Sequence, residues 1–181
     1  MKMKLLGLLV AGIASIAIAQ TPPIEHTHGR GLAENANGGR AEFGFEVNKF
    51  LRDGSTTPVV RGNFNFTAGG GDNRRPRVSI NARMIERLAV EGENNNVANF
   101  GGRALLVRPN STGQVERVEG HVQVRVADLR RPTNTDPNAP RDRMVVRFSV
   151  PGVNGGEPRV VFEFEGVVGR GDIVVRKAPT P

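Results

Sequence analysis

Arginine is the side chain through which this sequence has most chemistry to offer, for 21 of its 25 basic residues are arginine. A guanidinium group forks bidentately onto carboxylate or phosphate and sheds its hydration more readily than an ammonium. Arg74, Arg75, Arg77, Arg108, Arg117 and Arg159 lie in or beside segments that read as loops. In a simple meander, alternate loops share one end of the domain. That end would collect these six arginines together with Arg176 and Lys177, against Asp72, Glu116 and Glu157. The other end would carry Arg130, Arg131, Arg141 and Arg143, with Asp53, Glu91, Glu93, Asp136 and Asp142 to cancel them. The first end is therefore the candidate anion-binding site. It suits an anionic polysaccharide, a lipid head group or another acidic surface. The same arginines, interspersed with 18 acidic residues, also suit ordinary ion pairing on a solvated surface.

Other chemistry is thinly represented. A nucleophile needs a base, and the base needs a third group to orient it. His121 stands between Glu119 and Gln123 on an outward parity, without such partners. Glu163 and Glu165 share a strand face, but outward carboxylates normally solvate a sheet, so no enzyme is expected. Glu25, His26 and His28 cluster in what reads as a flexible arm, too loose to preform a metal site. Asn134, Asp136 and Asn138 alternate between Asp128 and Asp142 in a calcium-like manner. Arg130, Arg131, Arg141 and Arg143 crowd the same loop and oppose a cation, so turn formation is the better reading. Glycine runs at Gly69–Gly71, Gly101–Gly102 and Gly155–Gly156 lack the following helix that a phosphate cradle requires. No cofactor is expected. Tyrosine and tryptophan are absent, against nine phenylalanines, which disfavours ring-stacking platforms for sugars or single-stranded nucleic acid. Sequence-specific nucleic-acid binding is not expected either.

These residues must be held by strands. Residues 1–19 are set aside as a signal peptide: Lys2 and Lys4 precede an uncharged run from Leu5 that ends in Ala17-Ile18-Ala19. That run is shorter than the roughly 20 apolar residues of a spanning helix. Removing it implies an exported chain beginning at Gln20, with no further membrane span and a formal charge near +5 in place of +7. The chain has no cysteine, so packing alone must hold the domain. Residues 20–39 show no period and read as an extended arm, and residues 177–181 as a disordered tail. Between them, residues 40–176 form a single all-β domain in which apolar residues recur at every second position.

Ala41, Phe43, Phe45 and Val47 face one way, as do Val60, Phe64 and Phe66. A two-residue turn at Asp53-Gly54 would pair Phe43 with Phe64, Val47 with Val60 and Glu46 with Arg61. Val78 to Met84 alternate, and a bulge near Glu86 restores the phase at Leu88 and Val90. Ala98 to Leu106 and Val118 to Val126 follow. Met144, Val146, Phe148 and Val150 would pair with Gly166, Phe164, Phe162 and Val160. Gly169-Arg170 would then turn the chain into Ile173 and Val175, setting Glu163 opposite Arg176. The fold class is thus an antiparallel meander of about eight strands, forming a β-sandwich or a flattened barrel. Inward glycines among large phenylalanines favour the sandwich.

Gly38-Gly39-Arg40-Ala41-Glu42-Phe43-Gly44-Phe45-Glu46-Val47 resembles the opening of secreted bacterial post-COAP-1 domains. Gly62-Asn63-Phe64, Ile85 to Val90, Phe100-Gly101-Gly102 and Val124 to Asp128 are similar to later elements of that family. Asp128-Leu129-Arg130 departs from its Asp-Asn-Gly turn. The resemblance implies secretion and a β fold, and it assigns no catalytic residue. The function expected is a noncatalytic exported binding or structural module. A small-ligand carrier with a barrel cavity is the alternative, and a secreted enzyme the more distant one.

Overall fold

The computed structural model describes residues 22–52, 54–69, 77–130 and 139–178. Residues 1–19, expected to be a signal peptide, lie outside them, as do Asp53, Asp72, Arg74, Arg75, Arg131, Asn134, Asp136, Asn138 and residues 179–181. Eight strands follow one another: β1 (Glu25–Glu34), β2 (Arg40–Leu51), β3 (Pro58–Gly69), β4 (Val78–Glu91), β5 (Val97–Pro109), β6 (Val115–Ala127), β7 (Arg143–Val150) and β8 (Arg159–Lys177). Each pairs antiparallel with the next, and β8 returns to β1, closing the sheet as a barrel. Among the described residues, no helix is long and apolar enough to cross a membrane.

The preference for a sandwich is thereby corrected. Inward glycines do more than leave room for rings; they let the strands bend round a closed wall. A Cβ on Gly62 would sit 2.5 Å from the Glu46 carbonyl oxygen, and one on Gly120 2.3 Å from that of Ser149. Such close backbone approaches are the mark of a barrel corner.

Eight strands enclose a space just wide enough for side chains to fill. Phe45 of β2 and Phe64 of β3 meet Phe100 of β5 in the interior, with ring centroids 5.1 and 5.9 Å apart. Phe66 likewise meets Phe164 on β8 at 5.2 Å. Phe43, Phe64 and Phe148 are buried as expected, whereas Phe162 is only half-buried and packs edge-on against Phe66. The outward parity is polar, with Glu42, Glu46, Asn63, Asn65 and Arg147 exposed. This is the inverse of a membrane-spanning barrel, which is apolar outside.

The expected arm contains β1, paired along its whole length with both β2 and β8. Its inward face is Glu25, Thr27, Gly29 and Ala33, all buried but small or polar, so no apolar alternation advertised it. Thr27 satisfies its buried hydroxyl by donating to the Val174 carbonyl at 3.0 Å. Gly29 leaves the space that the Phe45 ring takes, since a Cβ there would lie 2.8 Å from it. The tail is shorter than expected at its start. Lys177 ends β8, and the Ala178 N–H donates to the Ile24 carbonyl at 2.8 Å.

Three registers differ from expectation. The β2–β3 loop spans residues 52–57, with a Ser55 N–H to Arg52 carbonyl bond at 2.9 Å, so Phe43 faces Phe66, Val47 faces Gly62 and Glu46 faces Asn63. The slip is two residues, an even number, so every side chain keeps its face. β4 has the expected bulge at Glu86 and a second between Asn81 and Met84, which turns Met84 outward, 62% exposed. β7 and β8 pair as expected through Phe148–Phe162, after which a bulge sets Val150 against Arg159. No turn interrupts β8 at Gly169-Arg170. The first half of this strand pairs with β7 and the second with β1, with a bulge beside Leu32. Glycine is needed there because Gly171 has φ +103° and lies against the Arg30 carbonyl. Glu163 consequently faces Arg147, and Arg176 faces His26.

Both mouths are closed by charged side chains that reach across them. At the end where β1 begins, the Lys49 ammonium donates to Glu25 at 3.0 Å and to the Leu88 carbonyl at 3.3 Å. Lys49 breaks the hydrophobic alternation of β2 because it plugs this opening. At the distal end, Arg108 donates to Glu116 at 2.9 Å and to the Val161 carbonyl at 3.4 Å.

Candidate functional site

The meander carries the starts of β4, β6 and β8 and the ends of β3, β5 and β7 to the distal end. Arg77, Arg108, Arg117 and Arg159 are therefore brought together at one end, as the loop parity implies. Arg77, Arg117 and Arg159 are exposed, while Arg108 is half-buried and engaged in closing the mouth. Arg74 and Arg75 lie outside the described residues. Arg176 and Lys177 do not join the group. Because β8 runs on without turning, they end at the opposite mouth, where both ends of the barrel chain emerge. The counter-charges at the distal end include Glu34, 3.6 Å from Arg40, and Glu157.

Two shallow grooves lead from this end along the outer wall. The larger, about 720 Å³, is lined by Asn81, Arg83, Arg103, Leu105, Glu119 and His121. The second, about 470 Å³, shares His121 and runs beneath the β7–β8 connection past Arg87, Gln123 and Pro151. Arg103 faces His121 across β5 and β6, and Arg87 faces Gly101, which in turn faces Gln123. Arg103 pairs with Glu86 at 3.1 Å, but both side chains are substantially exposed, so an incoming anion could displace that carboxylate at small cost. Arg83, Arg87, Arg103 and His121 were not identified as a group from the sequence. Their outward parity was visible, but the cross-strand register that aligns them was not.

The remaining candidates are dispersed. Glu163 accepts from Arg147 at 2.8 Å, and Glu165 is exposed on the same outer wall, away from either groove. Glu25 points into the barrel mouth, so it is separated from His26 and His28, which share the outer face of β1. Asp142 is buried and accepts the N–H groups of Leu129, Arg130 and Ile173 at 2.9–3.0 Å. Asp128 accepts the Val175 N–H at 3.1 Å. Beyond Val167, β8 has outrun β7, and these two carboxylates take the place of the missing ladder. Both carboxylates are engaged by backbone N–H groups.

Burial pushes the Asp128 carboxyl above its ordinary value, and Asp142 and Asp172 push the same way, against the Val175 N–H and Arg176. A carboxyl with a raised folded pKa holds its proton longer in the folded state. Its contribution to stability therefore falls as pH rises through the window above 3.8. Asp128→Asn keeps an acceptor for Val175 without the charge. Thermal melts should show the variant at least as stable as the parent at pH 7, with any gain vanishing below the ordinary carboxyl value. A less stable variant at pH 7 would count against this account.

Compared with known protein families, with curated proteins and with solved structures, the chain matches none.

Proposed function

We propose that this chain is a noncatalytic exported binding module that grips an extended anionic partner with its distal arginine end. The observation that carries this reading is the gathering of exposed Arg77, Arg117 and Arg159 at one mouth, continued by Arg83, Arg87 and Arg103 along the grooves. The opposite mouth holds both ends of the barrel chain, so the arginine end projects away from any attachment through a terminus. The rings that meet across the interior favour a partner met on the outside over a small molecule carried within. Phosphate, sulfate or carboxylate groups spaced along an acidic polysaccharide or a lipid surface match spaced guanidinium forks. Export rests on the leader at residues 1–19, and the similarity to secreted post-COAP-1 domains belongs to the same reading.

Heparin chromatography at rising salt tests it. Arg77→Ala/Arg117→Ala/Arg159→Ala should elute markedly earlier than the parent. Arg52→Ala/Arg61→Ala/Arg176→Ala, which removes equal charge near the other mouth, should elute close to it. Equal shifts for the two triple variants would leave only net charge and end the proposal.

A further inference from the structure

We infer that His26 and His28 form a surface site for a single borderline divalent cation such as Zn²⁺. The site is independent of the arginine end and lies near the mouth where the barrel chain begins and ends. Read as part of a loose arm, the two histidines lacked any fixed relation. As part of β1 they project from the same face at alternate positions, and their rings lie 4.8 Å apart. His26 Nε2 and His28 Nδ1 converge to 2.7 Å, sharing one hydrogen between two ring nitrogens. A cation that takes the place of that hydrogen would be ligated by both, at roughly 2.0–2.1 Å per nitrogen after a small ring rotation.

The surroundings orient the first ligand. His26 Nδ1–H donates to Asn48 Oδ1, directly across the β1–β2 ladder. That bond sets the tautomer in which the His26 Nε2 lone pair faces His28. Asn48 is held in turn by its amide, which donates to Glu46 Oε1 at 3.3 Å. An outer hydrogen-bond partner of this kind is the usual support of a metal-binding histidine. Glu46 also stands opposite His28 in the ladder, and Asp172 of β8 lines the same groove, so two carboxylates face the pair. Arg30 of β1 and Arg176 of β8 flank it with positive charge, leaving the local field close to balanced. Two protein ligands leave the other coordination positions to water or to an external donor.

The test is calorimetric titration of the EDTA-treated full chain with ZnCl₂ at pH 7.5, with the histidine ring resonances followed by NMR. One ion per chain is expected, with both β1 histidines perturbed and His121 unmoved. His28→Ala should abolish this binding, and Asn48→Ala should weaken it about tenfold by freeing the His26 ring. His121→Ala should bind as the parent does. Thermal melts of the variants, expected to match the parent because the replaced groups lie on the outer face, separate loss of the site from loss of the fold. Absence of saturable binding, or binding that survives His28→Ala in a folded variant, would overturn the proposal.

Discussion

Phe64→Ala is expected to destabilise the barrel by about 3–5 kcal/mol, the cost of deleting a buried aromatic ring and leaving its cavity. Phe64 is 0% exposed and touches Phe66 on its own strand and Phe100 on β5, the next strand but one, with centroids 6.2 and 5.9 Å away. A closed wall cannot collapse into the void as two independent sheets could, because each strand is tied on both edges. Most domains have only about 5–15 kcal/mol of stability, so this loss is a large share. Thermal denaturation should show a fall of roughly 6–20 °C. Phe162→Ala, at a half-buried position near the distal mouth, should cost clearly less. An unchanged melt for Phe64→Ala would mean that the rings do not fill the interior.

Asp142→Ala is the second large effect, expected at about 2–4 kcal/mol. The carboxylate serves three N–H groups, one of them the buried amide of Ile173. Removing it leaves these donors without their acceptor, at a strand that β7 no longer covers. The damage should be local before it is global. Amide hydrogen exchange should accelerate first at Ile173 and then at its β1 partner Gly29, while the β5–β6 ladder keeps its protection. Asp142→Asn, with one acceptor oxygen in place of two, should fall between the parent and the alanine variant. Uniform acceleration across the barrel, or none, would refute the idea that Asp142 substitutes for a ladder.

How legible an element is in the sequence varies with how much of it depends on its neighbours. β2, β3, β5, β6 and β7 bury alternate apolar residues, so their existence and inward faces were legible from Phe43 to Val150. β1 was invisible because its inward positions are filled by Glu25, Thr27, Gly29 and Ala33, chosen to fit the rings and backbone opposite. Gly169-Arg170-Gly171 was misread because a turn and a bulge in a continuing strand call for the same residue. Only the presence of β1 as a second partner makes the strand continue.

The candidate site divides along the same line. Alternation of loops placed Arg77, Arg108, Arg117 and Arg159 at one end, a consequence of antiparallel connectivity that needs no coordinates. The sequence by itself also determined the β class, the filled apolar core and the abundance of guanidinium groups, because period-two burial and residue chemistry are local properties. The tertiary structure alone decided that the sheet closes, that Arg108 plugs a mouth, and that Arg176 lies at the far end. It also decided that His26 and His28 share a rigid face and that Asp142 completes a ladder. Each of these depends on pairing between residues distant in the chain, where register and closure are set by packing across the barrel and not by the residues alone.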